Sequence, residues 1–228
     1  MNFKGTARRA SAEEIAAIAN TLGVSLAAFR AVITVEAAGS GFDKAGRPKA
    51  LFERHHFYKH LKANPDQLER AVSAGLAYRT WGEKPYPKGS DAVYSEIVRA
   101  SEINENAALL STSWGLGQVM GSNYKMVGSA SVEDMVLEAV ESEAGQLRQM
   151  AGFIKTANLV KPMKELNWAA FAKGYNGPGY AKNAYDVKLA QAHAKFIKEP
   201  NYATTSPPLP PVSADSDDLR VDDGYRRD

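Results

Sequence analysis

The chain has 228 residues, 44% apolar and 24% charged, the balance of a soluble globular protein long enough to bury a core without cross-links. It has no cysteine, which excludes disulfides, Cys-ligated zinc and thiol catalysis. The net charge of +2 is uneven: residues 201–228 hold six Asp and three Arg, a net of −3, so the first 200 carry +5. A mildly basic body suits an anionic polymer such as nucleic acid, an anionic cell wall or a membrane surface, but the bias is too small to choose among them.

Residues 1–10 are basic but no apolar h-region follows, so no signal peptide is read. No run approaches the roughly 20 apolar residues that cross a bilayer. A protein of this kind acting outside the cytosol needs another route of release.

In chain order the pattern is mostly helical. Ser11-x-x-Glu14 is a capping box, and the helix it opens runs to Leu22 before Gly23. A second helix spans residues 25–36. Residues 41–52 contain the turn signal Gly46-Arg47-Pro48 between short apolar flanks, which predicts a small hairpin. Residues 53–61 fit a helix or irregular structure equally, and residues 67–78 fit a helix. Trp81-Gly-Glu-Lys-Pro-Tyr-Pro-Lys-Gly89 is a loop. Residues 90–103 and 104–113 predict two helices, interrupted by Trp114-Gly-Leu-Gly-Gln118. Ser131 opens a single long helix reaching Ile154, and Pro162 starts another that ends near Gly174. Tyr175-Asn-Gly-Pro-Gly179 is a tight loop. The last helix carries Tyr185, Leu189, Ala192 and Phe196 on one face. The division is residues 1–10 as an N-terminal extension, 11–200 as one domain, and 201–228 as a Pro/Asp-rich disordered tail.

Glu36 stands out. It falls three residues after Ile33, four after Val32 and seven after Phe29, so its carboxyl group lies on the apolar face of its helix. Glu is seldom buried there without compensation. Loss of water and the negative end of the helix dipole both raise the pKa expected for it. A carboxyl group protonated near neutral pH is what a general acid needs.

Three segments carry a family signature. Val35-Glu36-Ala-Ala-Gly-Ser-Gly41-Phe42 runs into Gly46-Arg47-Pro48-x-x-Leu51-Phe52-Glu53-Arg54-His55-x-Phe57; Ser113-Trp114-Gly115-Leu-Gly117-Gln118-Val-Met-Gly121-x-Asn123-Tyr124 follows. Together they resemble the N-acetylmuramidase domain of phage endolysins, and Tyr175-Asn176 is similar to the Tyr-Asn pair of lysozyme-like lytic enzymes. The resemblance covers roughly residues 11–200. It implies an α+β, predominantly α-helical, lysozyme-like fold with a small β-hairpin lobe. It implies cleavage of the β-1,4 bond between N-acetylmuramic acid and N-acetylglucosamine in peptidoglycan, with Glu36 as catalytic acid and no cofactor. It also implies a monomer, without nucleic-acid partner or membrane insertion, waiting in the host cytoplasm until lysis.

Glycoside hydrolysis needs a proton donor and a group to support an oxocarbenium-like transition state or to activate water. Asp43 and Glu53 are the two candidates for the second role, and a site with one essential carboxylate is a third possibility. Arg54 and His55 beside Glu53 offer instead a buried structural ion pair. Gln118, Tyr124, Tyr175 and Asn176 are candidate substrate-binding residues, each with a core or turn role as its rival; Trp114 fits the core better than a sugar platform. His56 and His60 have the i, i+4 spacing of a zinc helix, but Phe57 stands where that motif needs Glu, so no metal is assigned. Basic residues are scattered among few aromatics, which argues against nucleic-acid recognition. The alternatives are a lytic transglycosylase on the same fold, a non-catalytic wall-binding module, and a helical partner-binding protein that works through its tail.

Overall fold

The structure, a computed structural model, describes residues 1–36 and 39–199. The tail expected from residue 201 lies outside the described residues.

Helix α1 (Ala12–Leu22) begins at the predicted capping box: Ser11 Oγ accepts from the Glu14 amide, and the Glu14 carboxylate accepts from the Ser11 amide. Gly23 ends it at φ +64°, a left-handed conformation that costs glycine little. Helix α2 (Leu26–Glu36) then turns away by 109°. Its buried side, with Ala28, Phe29, Ala31, Val32 and Ile33, follows the helical spacing seen in the sequence. Among the described residues, no single helix is long and apolar enough to cross a membrane.

The expected turn forms: Phe42 and Pro48 make an antiparallel bridge, flanked by hydrogen bonds from the Asp43 amide to the Arg47 carbonyl and from the Lys49 amide to the Gly41 carbonyl, both at 2.8 Å. The three-stranded sheet, however, is built from more distant segments. Strand β1 (Ala50–Phe52) pairs antiparallel with β2 (Thr112–Trp114), and β2 with β3 (Val119–Met120). The segment expected to interrupt a helix is thus a hairpin, turned through Gly115 at φ +66° and Gln118 at φ +46°. Strands of two or three residues are too short to show a period-two pattern, and the β1 partner lies some sixty residues away. By alternation, Lys49, Leu51 and Glu53 face one side of β1, while Ala50 and Phe52 face the main core.

Helix α3 (Arg54–Leu61) follows β1 at once, and α4 (Pro65–Ser73) is capped by Asn64. Helix α5 (Ser90–Leu110) runs through the centre of the molecule with Val93, Tyr94, Ile97, Ala100 and Leu109 buried. It kinks at Asn104, φ −159°, whose side chain accepts from the Ala107 amide at 2.9 Å. Asn104 therefore caps a second helical segment, as the two-helix reading anticipated. The long helix expected from Ser131 divides in the same way. Helix α6 (Val132–Glu141) stops, Ser142 takes an extended conformation, and its hydroxyl caps α7 (Glu143–Thr156) at the Gly145 amide.

Beyond α7, the helix expected from Pro162 divides into α8 (Val160–Lys164) and α9 (Trp168–Asn176) around Leu166 at φ +55°. Helix α9 continues through Tyr175 and Asn176, which the sequence placed in a loop. Helix α10 (Tyr185–Phe196) packs on α2 and α9.

Residues 1–10 are built into the domain. Phe3 is buried, with its ring 5.3 Å from Tyr94 and 5.6 Å from Trp114. Arg8 bridges Ser142, and its carbonyl accepts from the Glu143 amide at 2.9 Å.

The Arg8 guanidinium and the Ser11 amide hold the Glu14 carboxyl down to about 2, from an ordinary 4.5. Because the folded pKa is depressed, the stabilisation is present above pH 4.5 and is lost as pH falls through 2. Urea titrations should show Glu14→Gln about 1 kcal/mol less stable than wild type at neutral pH. That difference should shrink between pH 4.5 and 2.

Candidate functional site

Glu36 is the last residue of α2 and is half-buried, at the edge of the core made by Phe29, Val32 and Ile33. Asn176, the last residue of α9, reaches it: Nδ2 donates to Oε1 at 3.0 Å and to Oε2 at 2.9 Å. The Asn176 Oδ1 is buried and makes no hydrogen bond. Gly177 at φ +85° ends α9 directly afterwards. The preceding Tyr175 is wholly buried, stacked on Phe171 at 5.4 Å and edge-on to Phe153 at 5.6 Å. Its hydroxyl donates, at a long 3.4 Å, to the Gly117 carbonyl. The ring of Tyr175 therefore serves the core, and its hydroxyl touches the β2–β3 turn.

Gln118 sits in that turn, partly exposed. Its Nε2 donates to the Lys49 carbonyl at 3.1 Å and the Gly115 carbonyl at 2.9 Å; its Oε1 accepts from Ser113 Oγ at 3.1 Å. The side chain sews β1 to the β2–β3 turn. Tyr124 is half-buried against the core, with Lys125 Nζ 5.7 Å from its ring centroid. Trp114 is buried and donates its indole N–H to the Leu109 carbonyl at 3.2 Å.

Glu53, at the end of β1, is fully buried. The Tyr86 hydroxyl donates to its Oε2, and His55 Nδ1 lies 3.5 Å from the same oxygen. Arg54 turns to Glu96 instead, with a two-point contact at 3.1 and 2.5 Å, and Nη1 donates to the Pro85 carbonyl at 3.0 Å. Arg54 thereby holds the loop that delivers Tyr86. Of the two neighbours read as ion-pair partners for Glu53, His55 lies against it while Arg54 pairs with Glu96 across the α3–α5 contact, because successive residues at a helix start point in different directions.

Asp43 has a different task. Its Oδ1 accepts from the Ala45 and Arg47 amides, both at 2.9 Å, and its Oδ2 accepts from Arg47 Nε at 2.7 Å. Arg47 Nη2 also reaches Asp91 at 2.6 Å, and its guanidinium lies 4.3 Å from the Tyr94 ring centroid. With Arg47 Nη2 also 2.6 Å from Oδ2, an Asp side chain 2% exposed and held by four contacts organises a turn.

Sequence reasoning missed three side chains. Tyr86 looked like part of a featureless Pro-rich loop. Glu143 and Gln146 on α7 are 0% and 1% exposed, and they hold backbone at Gly41 and Leu116. Their only sequence signal is polar spacing of three on an apolar helix. Among the described residues, no group of three or more His, Asp or Glu is placed to hold a metal. His56 is buried and His60 is exposed.

Two carboxyl groups of different solvent access are thus on hand, a half-buried one at the end of α2 and a fully buried one just after β1; a partly exposed carboxyl group is the kind that can donate a proton. A family model described as N-acetylmuramidase matches residues 25–197. A crystal structure of the Burkholderia AP3 phage endolysin is similar at 36% identity and a TM-score of 0.78, over 84% of this chain and 73% of that one. No curated protein sequence matches.

Removing the charge of Asp43 should loosen the turn. Asp43→Asn is expected to lower the unfolding free energy by about 1–3 kcal/mol, as charge-assisted hydrogen bonds are lost. Urea denaturation measures it, and an unchanged midpoint would contradict the assigned role.

Proposed function

The chain belongs to the N-acetylmuramidase family, and from that premise we propose that it hydrolyses the β-1,4 bond between N-acetylmuramic acid and N-acetylglucosamine, with Glu36 as general acid. Its broad class is a peptidoglycan-degrading glycosidase of the endolysin kind. The observation that carries the residue assignment is the double hydrogen bond from Asn176 to Glu36.

Protonated Glu36 gives its proton to the glycosidic oxygen as the bond to C1 of the muramoyl residue breaks. Negative charge then develops on both oxygens of Glu36, and Asn176 Nδ2 already faces both. Donors aimed where charge develops favour the transition state over the ground state. Water completes the reaction at C1, leaving a reducing muramoyl end.

Glu53 suits the second role better than Asp43. Both oxygens of Asp43 are engaged by a turn, whereas Glu53 lies on the strand stitched by Gln118 to the Gly115 turn. As a buried carboxylate it supports positive charge on the sugar or orients the attacking water. Gln118 and Tyr175 act by holding the β2–β3 turn, through the Gly115 and Gly117 carbonyls, and half-buried Tyr124 is the candidate to meet the glycan. The enzyme acts as a monomer on wall glycan, reached from the host cytoplasm once the membrane opens.

One observation favours a second reading. Tyr86 and His55 both crowd the same oxygen of Glu53, as in a structural carboxylate. A lytic transglycosylase needs no second carboxylate, because the muramoyl 6-hydroxyl attacks C1 and a 1,6-anhydro end forms.

Digestion of purified peptidoglycan with product mass spectrometry tests both readings. Reducing N-acetylmuramic acid ends support hydrolysis; anhydro ends sink it. Glu36→Gln should lower kcat by about 10²–10⁴-fold while wall binding persists. Full clearing by that variant would point to a different acid. Glu53→Gln should reduce kcat more than Tyr86→Phe does if Glu53 takes part in the chemistry. Equal, small losses would mark Glu53 as structural and favour transglycosylation.

A further inference from the structure

We propose that Glu143 and Gln146 of α7, with Arg9 as counter-charge, are positioning residues for the proton donor. This inference rests on the reading of Glu36 as the acid.

Glu143 has no solvent exposure. Its Oε1 accepts from the Gly41 amide at 2.9 Å and from Ser40 Oγ at 3.2 Å; Ser40 Oγ in turn accepts from the Phe42 amide at 3.1 Å. Its Oε2 accepts from the Ala10 amide at 3.2 Å and lies 2.9 Å from Arg9 Nε. One helical turn further on, Gln146 Oε1 accepts from the Leu116 amide at 2.8 Å. Its Nε2 donates to the Ala139 carbonyl at 2.8 Å and to the Gly41 carbonyl at 3.4 Å. Two neighbouring side chains thus hold the segment just beyond Glu36 and the turn that precedes Gln118.

The fit leaves no slack. A Cβ on Gly41 would come 2.0 Å from Gln146 Oε1, and one on Gly115 would come 2.6 Å from Gln146 Cδ. A side chain at either glycine would displace the Gln146 amide from the place where it is hydrogen-bonded.

These contacts close a circuit. Glu36 is held by Asn176; the adjoining Tyr175 touches Gly117; Leu116 of the same turn is held by Gln146; and Gln146 and Glu143 hold Gly41, five residues beyond Glu36. Asn176 holds the oxygens of the acid, and Glu143 and Gln146 hold the chain at Ser40 and Gly41. A buried carboxylate costs several kcal/mol unless it is well paired, so this one is expensive as mere filling. Its oxygens face backbone and side-chain donors from two separate segments, residues 9–10 and residues 40–41. The Arg9 and Ala10 contribution lies outside the matched region of residues 25–197.

Steady-state kinetics on soluble peptidoglycan strands test this, measured well below the Tm of every variant. Glu143→Gln turns an amide hydrogen toward donors, and its kcat should fall about 10–100-fold, the scale of a displaced catalytic group, with KM changed less than about twofold. Arg9→Lys should retain most of the kcat that Arg9→Met loses. Leu61→Ala, a core substitution on α3, serves as the destabilised control and should keep its kcat. Should Glu143→Gln fail to fold, Ser40→Ala decides, since it removes only the hydroxyl that donates to Glu143 and accepts from the Phe42 amide: a lowered kcat at constant KM supports the inference, and wild-type kcat overturns it. A folded Glu143→Gln with wild-type kcat, beside an inactive Glu36→Gln, overturns the positioning role alone. A kcat loss in Leu61→Ala equal to that in Glu143→Gln also overturns it. A fully active Glu36→Gln overturns the acid assignment and this inference with it.

Discussion

Asn176 meets Glu36 across 140 residues of sequence, and the contact sets the terms for the rest of the architecture. A carboxyl group at the edge of an apolar core is tolerable only where polar groups reach it. Here they arrive from the end of α9. For α9 to end there, Tyr175 must be locked between Phe171 and Phe153, and Gly177 must stop the helix in a conformation other residues avoid. The hydrophobic packing of α9 is therefore what aims one amide at one carboxylate.

The small sheet answers the same requirement on the other side. Its strands are too short to be stable on their own. Side-chain hydrogen bonds reinforce them: Gln118 reaches the Lys49 carbonyl, and Asp43 and Arg47 secure the turn before β1. Helix α5 supplies the floor, with Tyr94 donating to the Pro48 carbonyl and its ring meeting both Phe3 and the Arg47 guanidinium. The N-terminal segment is thus part of the platform beneath the sheet. Polar contacts on one face and apolar contacts on the other give this lobe a single register.

The choice between hydrolysis and transglycosylation turns on Glu53. Its burial and its Tyr86 contact admit two physical readings: a group held ready for the developing charge, or one fixed for structure. Glu36, the donor in the proposed mechanism, differs from it in being half-buried at a helix end, where its carboxyl group keeps access to solvent. The two carboxyl groups thus differ in solvent access as well as in partners, which is the arrangement that divides roles between otherwise similar side chains.

What the sequence determined by itself was whatever local physics decides. The capping box of α1, the glycine that ends it, the apolar stripe of α2 with Glu36 on it, and the face of α10 are all set within a few residues. The motif around Glu36 and Glu53 was legible in another way, as a contiguous stretch that resembles a known family. Tertiary structure decided the rest. The pairing of β1 with β2 joins segments sixty residues apart and too short to show a period. The breaks at Ser142 and Leu166 depend on which cap wins against a continuous apolar pattern. Asp43 and Glu53, equivalent as sequence candidates, separate only when Arg47 closes on one and Tyr86 on the other. Glu143 and Gln146 looked like ordinary polar positions on a helix. Only the packing of α7 beneath two glycine-bearing segments gives their buried oxygens and nitrogen something to hold, because burial and hydrogen-bond partners belong to the fold and cannot be assigned residue by residue.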